Sequence, residues 1–283
     1  YYSIVPTDGI EEYEVWSTIE VTPTMTVTPR EAREQDLLGA NEEYEPGQEI
    51  MLEFHPLGTD YLGRDMLARL MQGARVSLFI GIVAPLLFVL FGVVYGGVAG
   101  YFAGRIDQAL MRFADFVVAL PFLLFMILFK IAFGIGPGES GIMPMLIALV
   151  LLGWPATARL VRGQVLRLRE QGFIEAARLL GASNHYLILR HIIPNTMGVI
   201  LVTLTFAVPT AIFTEAFLSF IGMGVAPPTP SWGSMCNDGV KTMLSHPHEL
   251  IFPAAFISIT VLAFNLLGDG LTEALDSRMR STE

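Results

Sequence analysis

Charge, cysteine and lysine are all scarce in this 283-residue chain. Only 16% of its residues are charged, against about a quarter in soluble domains. The single cysteine, Cys236, excludes an internal disulfide and any cysteine-based zinc site. The two lysines, Lys130 and Lys241, follow Phe129 and Val240. The phosphate-cradling pattern G-x-x-x-x-G-K-[ST] is therefore absent, and any ATP that drives this protein is bound and hydrolysed on another chain. No run of Lys or Arg suits a nucleic-acid backbone. The five histidines, at 55, 185, 191, 246 and 248, fall in segments on opposite sides of the apolar runs described next. They cannot converge on one catalytic or metal site, and His246 with His248 supplies too few ligands for one. No catalytic, cofactor-binding or metal residues are assigned. The first 70 residues hold no apolar core long enough for a signal peptide.

What is present is apolar. Hydrophobic residues make up 53% of the chain, and the mean hydropathy is +0.55. Five long runs stand out: Val76–Phe102, Phe113–Gly134, Ile142–Ala158, Thr196–Phe220 and Leu250–Leu267. Each is close to or above the roughly 17–25 residues that cross a bilayer core. The expected fold is an all-α integral membrane bundle of five spans, with residues 55–75 as a lead-in: turns at Gly58 and Gly63, then an amphipathic helix over RDMLARLMQGARVSLF with Arg64, Arg69 and Arg75 suited to an interface. Every run contains proline, at Pro85, Pro121, Pro144, Pro155, Pro209 and Pro253, which removes a ladder hydrogen bond and bends a helix. Three charged groups lie in the runs. Asp115 sits near one end of its run, and Lys130 and Glu215 near the ends of theirs, within reach of an interface.

The net charge of −10 is unevenly spread. Residues 1–60 carry 14 of the 27 acids, with only Arg30 and Arg33 as bases. Residues 1–54 read as an acidic surface segment, with one or two short strands in VWSTIEVTPTMTV. Basic residues set the orientation. Counting alternate sides, one face receives Arg105, Arg112, Arg159, Arg162, Arg167, Arg169, Arg178, Arg190, Arg278 and Arg280, while the other receives Lys241. The first face is expected to be cytoplasmic, with the C-terminus on it and residues 1–75 outside. Carrying so acidic a segment outward without an anchor predicts a sixth span upstream of Tyr1. The loop SFIGMGVAPPTPSWGSMCNDGVKTML then lies outside, where Trp232 and the apolar residues after it suit an interface or a short re-entrant element. Trp232 and the turn Pro227–Pro230 are expected on the extracytoplasmic face, with Cys236 open to an impermeant maleimide.

The most informative stretch is Phe173 to Asn195, FIEAARLLGASNHYLILRHIIPN. Helix formers run from Phe173 to Leu180, Gly181 allows a left-handed exit, and Ser183 or Asn184 caps a second helix over Asn184–Ile193. This helix–turn–helix is too polar for hydrocarbon and too apolar for water, so it is expected to pack against protein. Glu175-Ala176-Ala177, Gly181 and Pro194 have the spacing of the EAA loop of ABC-type importer permeases, which the stretch resembles. His191 and Ile193 depart from the commoner Ile and Leu. HPLGTDYLGRD, SFIGMGVAPPTPSWG and VLAFNLLGDGLTEALDSR further resemble the C-type permease subunit of oligopeptide/dipeptide importers, with Ser277 where Pro is common. The likeness covers residues 55–283.

That resemblance implies an ATP-driven peptide importer working by alternating access in the cell membrane. Its implied partners are a second permease subunit, two ATPase subunits, an extracytoplasmic solute-binding protein and membrane lipid. The 173–195 loop would couple to the ATPase through Glu175, Ala176, Ala177, Arg178, Gly181, Ala182, Arg190 and Pro194. Glu215, Trp232 and Asn265 are the candidates for the pathway or its outer mouth. The alternative is a secondary transporter or channel, which would show paired ionisable groups near the bilayer midplane or an inverted repeat.

Overall fold

The computed structural model describes residues 2–6, 13–17, 25–27, 50–52, 55–133 and 140–280, with side chains described for 55–133 and 140–274. It falls into two compact units, Tyr1–Ala68 and Arg69–Glu283.

Among the described residues, the first unit holds four antiparallel strands in the order β3-β2-β1-β4: β1 Tyr2–Pro6, β2 Tyr13–Ser17, β3 Met25–Val27 and β4 Ile50–Leu52. Tyr2 pairs with Ser17 on one side and Leu52 on the other. The one or two strands expected in VWSTIEVTPTMTV are thus two of a four-stranded sheet. After it, Asp60 organises a tight turn. Its Oδ1 accepts from the Leu62 and Arg64 N–H groups, and its Oδ2 from Arg64 Nε at 2.8 Å. Asp65 then accepts from the Ala68 N–H at 3.1 Å, while its Oδ2 lies 3.1 Å from His55 Nδ1. Burial works to raise the Asp65 carboxyl, but the Ala68 N–H and His55 hold it below its ordinary value.

The second unit is helical. The lead-in and the first run form one helix, α1 Met66–Phe102. Its 37 residues measure about 55 Å, well beyond the ~30 Å hydrocarbon core. Then follow α2 Gly104–Ala119, α3 Phe122–Ala132 and α4 Ile142–Leu168. Next come α5 Gly172–Leu179, the short α6 Asn184–Tyr186, a π-helical turn Leu187–Ile192 and α7 Ile193–Phe220. The chain closes with α8 Trp232–Thr242 and α9 His248–Arg280. Among the described residues, four helices are long and apolar enough to cross a membrane, or up to five spans if α2 and α3 count as one.

The second run is where helix geometry departs from expectation. Phe113–Gly134 is not one bent helix but parts of α2 and α3, which meet at 81°. Leu120 between them is extended, with ψ 124°, because a following proline ring disfavours the helical region. Gly134 lies outside the described residues. Pro85, Pro155, Pro209 and Pro253 remain inside helices, where neighbouring helices and shared backbone bonds tolerate them.

The α1 and α4 backbones touch. A methyl group built on Gly96 would lie 2.2 Å from the Ala158 carbonyl oxygen, and one on Gly92 2.8 Å from Thr157 Cβ. Only glycine permits this approach, the small-residue packing usual in membranes. Two apolar clusters flank the crossing. One joins Val76, Ile80, Met126, Met145 and Leu218; the other joins Val89, Val161, Ile174, Leu187 and Ile192 at the end of the bundle bearing α5.

Candidate functional site

The segment from α5 to the π turn is a folded loop seated on the bundle. Ile174 and Leu187 are fully buried and anchor it. The helix exit follows the expected glycine. Gly181 has φ 86°, its N–H donates to the Arg178 carbonyl at 3.0 Å, and the Ala182 N–H donates to the Ala177 carbonyl at 3.1 Å. This paired bonding is a Schellman exit, which brings a side chain before the turn against one after it. Ala177 and Ala182 fill those two places, both packed on the core. Of the two expected caps, Ser183 serves: its Oγ accepts from the Tyr186 N–H.

The second helix does not end at Ile193. It passes through the π turn and continues as α7 to Phe220. Pro194, near the start of α7, has no N–H to offer the preceding turn. The Ile193 N–H reaches back to Ile188, and Asn195 Nδ2 donates to the His191 carbonyl at 2.6 Å. The His191 ring meets Tyr186 edge to face and lies tilted against Phe173.

The outward face of the loop mixes apolar and charged side chains. Leu179 is 84% exposed and Leu180 89%, and Glu175, Ala176, Gly181 and Arg190 are exposed beside them. A cavity of about 530 Å³ adjoins it, lined by Tyr101, Phe102, Arg169, Glu170, Glu175, Arg178 and Asn184. Glu175 and Arg178 thus edge one polar cleft, while Pro194 lies further on, exposed at the root of α7.

At the other end of the bundle, Glu215 and Trp232 meet in one buried network. Glu215 is fully buried; Ser77 Oγ donates to its Oε2 at 2.7 Å and Ser219 Oγ to its Oε1 at 2.8 Å. The Trp232 N–H donates to Ser77 Oγ at 3.2 Å, and its Nε1 to the Leu70 carbonyl at 3.1 Å. Trp232 is 2% exposed, so the expectation of a surface tryptophan is corrected. The Ser231–Ser234 capping box starts α8, which folds back onto α7 and α9 instead of lying along the surface. Cys236, on the same helix, is buried too, which overturns its expected openness to maleimide. Burial, and then the Glu215 carboxylate, push its thiol up to about 11.

The other charged groups of the runs also have partners. Arg159 Nη2 donates to Asp115 Oδ1 at 2.7 Å, and Lys130 Nζ to the Gly222 carbonyl at 2.6 Å, beside the α7 C-terminus. Asp107 and Arg162 form a bidentate pair joining α2 to α4. Asn265 is half-buried on α9 and joins neither site. A second cavity of about 540 Å³ is mostly apolar, between Phe88, Phe122, Gly153, Phe206 and the threonines 157, 203, 210 and 214. The hydroxyls of Thr203, Thr210 and Thr214 donate to their own helix one turn back, which leaves those oxygens as acceptors only.

Sequence reasoning missed Ser77, Ser219, Tyr101 and Ile174. Ile174 carried a signal, lying three and four positions before Ala177 and Arg178 on a short amphipathic helix. Ser77 carried none, because its partner lies 138 residues away.

The chain matches the family model described as binding-protein-dependent transport system inner membrane component over residues 92–281. It is 48% identical over 226 residues to the oligopeptide transport system permease protein OppC of Bacillus subtilis (strain 168), covering 80% of this chain and 72% of that protein. It is 49% identical over 227 residues to the dipeptide transport system permease protein DppC of the same organism, covering 80% and 69%. To the glutathione transport system permease protein GsiD of Escherichia coli O6:K15:H31 (strain 536 / UPEC) it is 44% identical, covering 80% and 73%. Among solved structures, the inward-facing MetNI methionine ABC transporter superposes with a TM-score of 0.59 at 16% identity, over 74% of this chain and 97% of that one. An amino acid ABC transporter with histidines gives 0.56 at 19% identity, over 74% and 94%. The likeness to these two shows a shared fold. With the family model matched over most of the helical unit, the chain belongs to the binding-protein-dependent transport system inner membrane components, the multi-pass membrane permeases of ABC importers.

Proposed function

We propose that this permease moves peptides inward across the cell membrane by alternating access, paired with a second permease subunit and driven by two ATPase subunits. A solute-binding protein delivers the peptide from outside. The substrate class rests on the relatives named for oligopeptide and dipeptide transport, at 48% and 49% identity. The coupling role rests on one observation: the loop from α5 to the π turn is tightly seated by Ile174 and Leu187 yet presents Leu179 and Leu180 almost wholly exposed. Two neighbouring leucines held out on a rigid turn suit a protein partner better than water.

On this reading the loop faces the cytoplasm and docks in a cleft of the ATPase. Glu175 offers a carboxylate to a basic group, with Arg178 and Arg190 as flanking charges. Ala176 gives a close-packing face, while Ala177, Gly181 and Ala182 hold the turn; Pro194 marks the root of the span. ATP is bound and hydrolysed on the partner chains. The α7–α9 segment with Trp232 lies outside, along with residues 1–75, and Glu215 and Trp232 serve the outer mouth by holding α8 in place. Asn265, half-buried on α9, is the remaining pathway candidate.

The test is reconstitution of the four-subunit complex in proteoliposomes with its binding protein and a radiolabelled tripeptide. ATP-dependent uptake is expected. The double variant Glu175→Lys with Gly181→Asp should reach the membrane normally but lose the ATPase or leave it idle. A Cβ added at Gly181 meets no atom of this chain within 4 Å, but the backbone there has φ 86°, so the cost here is backbone strain of about 1–2 kcal/mol. Its larger effect falls on the partner. Normal uptake by that variant would overturn the coupling role, and uptake by the permease alone without ATP would favour a secondary carrier.

A further inference from the structure

We infer that Tyr101 is the positioning residue through which this loop moves the first span, with α1 acting as the rod that carries the motion to the outer segment. The inference rests on the coupling role proposed above.

Three groups from the loop side of the molecule converge on Tyr101, the penultimate residue of α1. Its hydroxyl donates to Asn184 Oδ1 at 2.6 Å. The Arg178 guanidinium carbon lies 5.8 Å from the centre of its ring, within cation–π range. Arg169 Nη1, at the end of α4, donates to its backbone carbonyl at 3.2 Å. The ring itself is 5% exposed, packed in the cluster of Val161, Val165, Ile174 and Leu187.

The other anchors of the loop, Ile174 and Leu187, are apolar and tolerate sliding, because dispersion contacts have little directionality. The Tyr101 contacts are directional. Arg178 stands on α5 and Asn184 starts α6, so Tyr101 is held on both sides of the Gly181 turn. A displacement of the loop must either carry Tyr101 along or break the hydrogen bond and the ring contact together. Tyr101 is continuous with α1, and 24 residues back along that helix Ser77 holds Glu215 and Trp232. That separation is about 36 Å. One continuous helix, with Pro85 inside it, therefore joins the docking loop to the segment over the opposite mouth, an element of the kind that can carry energetic coupling.

The experiment uses the reconstituted four-subunit complex and reads tripeptide taken up per ATP hydrolysed. Tyr101→Phe removes the hydroxyl and keeps the ring; Asn184→Ala removes the same bond from its other end. Each is expected to lower uptake per ATP about fivefold, the size of one net hydrogen bond, with the ATPases still bound and hydrolysing. The double variant should be no worse than either single, since both delete one contact. Tyr101→Ala, which also removes the ring, should lower the ratio further. Unchanged uptake per ATP in Tyr101→Phe and Asn184→Ala would overturn the inference, as would a loss explained wholly by detached ATPases or strictly additive losses in the double. If Tyr101→Ala fails to reach the membrane, the two conservative variants still decide. The Glu175→Lys, Gly181→Asp variant separates the two ideas. If it transports normally, the coupling role itself has failed. If it is uncoupled while the Tyr101 variants are not, only the role of Tyr101 falls.

Discussion

Glu215 illustrates how a single residue in a membrane helix can be acidic and still structural. Both of its oxygens accept hydroxyl hydrogens, from Ser77 and Ser219, and Ser77 in turn accepts the Trp232 N–H. Replacing Glu215 by Ala leaves those hydroxyls without an acceptor, at about 1–3 kcal/mol for each buried group left unsatisfied. The hold on α8 should loosen, and Cys236 reports it. In the wild type the buried thiol, with its pKa pushed up to about 11, should label slowly with maleimide at pH 7. Its rate should rise about tenfold per pH unit, following the thiolate fraction until pH approaches the thiol pKa. Glu215→Ala should label much faster, measured by intact mass on purified protein. Rapid labelling of the wild type would contradict the burial of Cys236. Equal slow rates in both would mean that Glu215 does not hold α8.

At the scale of elements, α2 and α3 pose the sharpest question. Six prolines, Pro85, Pro144, Pro155, Pro194, Pro209 and Pro253, lie within the described apolar helices or at their starts without breaking them, whereas Pro121 separates two helices by 81°. Two causes act together there. The ring forces Leu120 into the extended region, and ion pairs hold α2 on α4: Asp107 with Arg162 and Asp115 with Arg159. Pro121→Ala restores the missing N–H and removes the constraint on Leu120. Nitroxide labels at Gln108 and Leu128 would then move from about 23 Å apart, expected for legs at 81°, towards about 30 Å for a straight helix. An unchanged distance by pulsed electron resonance would assign the bend to the ion pairs alone.

For the whole molecule, the division at Ala68 and Arg69 bears on what the acidic segment contributes. The OppC and DppC matches span 80% of the chain, the family model begins only at residue 92, and the sheet of β1 to β4 forms its own ladder of backbone bonds. Excising residues 1–54 should therefore leave the helical unit at normal membrane level, with an unchanged melting temperature in detergent. A fall of more than about 4 °C, on the scale of 1 kcal/mol, would show that the sheet supports the bundle. The bundle itself buries its spans unevenly. Half of the apolar window is buried in α1 and in α4, but only 6% in α9, so α9 gives the largest share of its surface to lipid or to another subunit.

Local chemistry alone determined a good deal of this. The apolar runs follow from the cost of leaving backbone groups unpaired in lipid, which leaves helices as the economical choice. The turn at Gly181 and the cap at Ser183 follow from conformational freedom and from hydroxyl geometry within a few residues, so they were legible and stand as expected. The missing phosphate-binding pattern is a fact of the sequence in the same way. Only tertiary structure decided which polar groups meet. Ser77 and Glu215 lie 138 residues apart and Tyr101 and Asn184 lie 83 apart, and each pairing depends on how helices rotate and cross where Gly92 and Gly96 let α1 approach α4. Trp232 and Cys236 looked like surface residues because they fall in the loop that the alternation of spans puts outside. They are buried because α8 folds back onto α7 and α9, and the Leu70 carbonyl that accepts from Trp232 Nε1 becomes its partner only once α1 and α8 have packed.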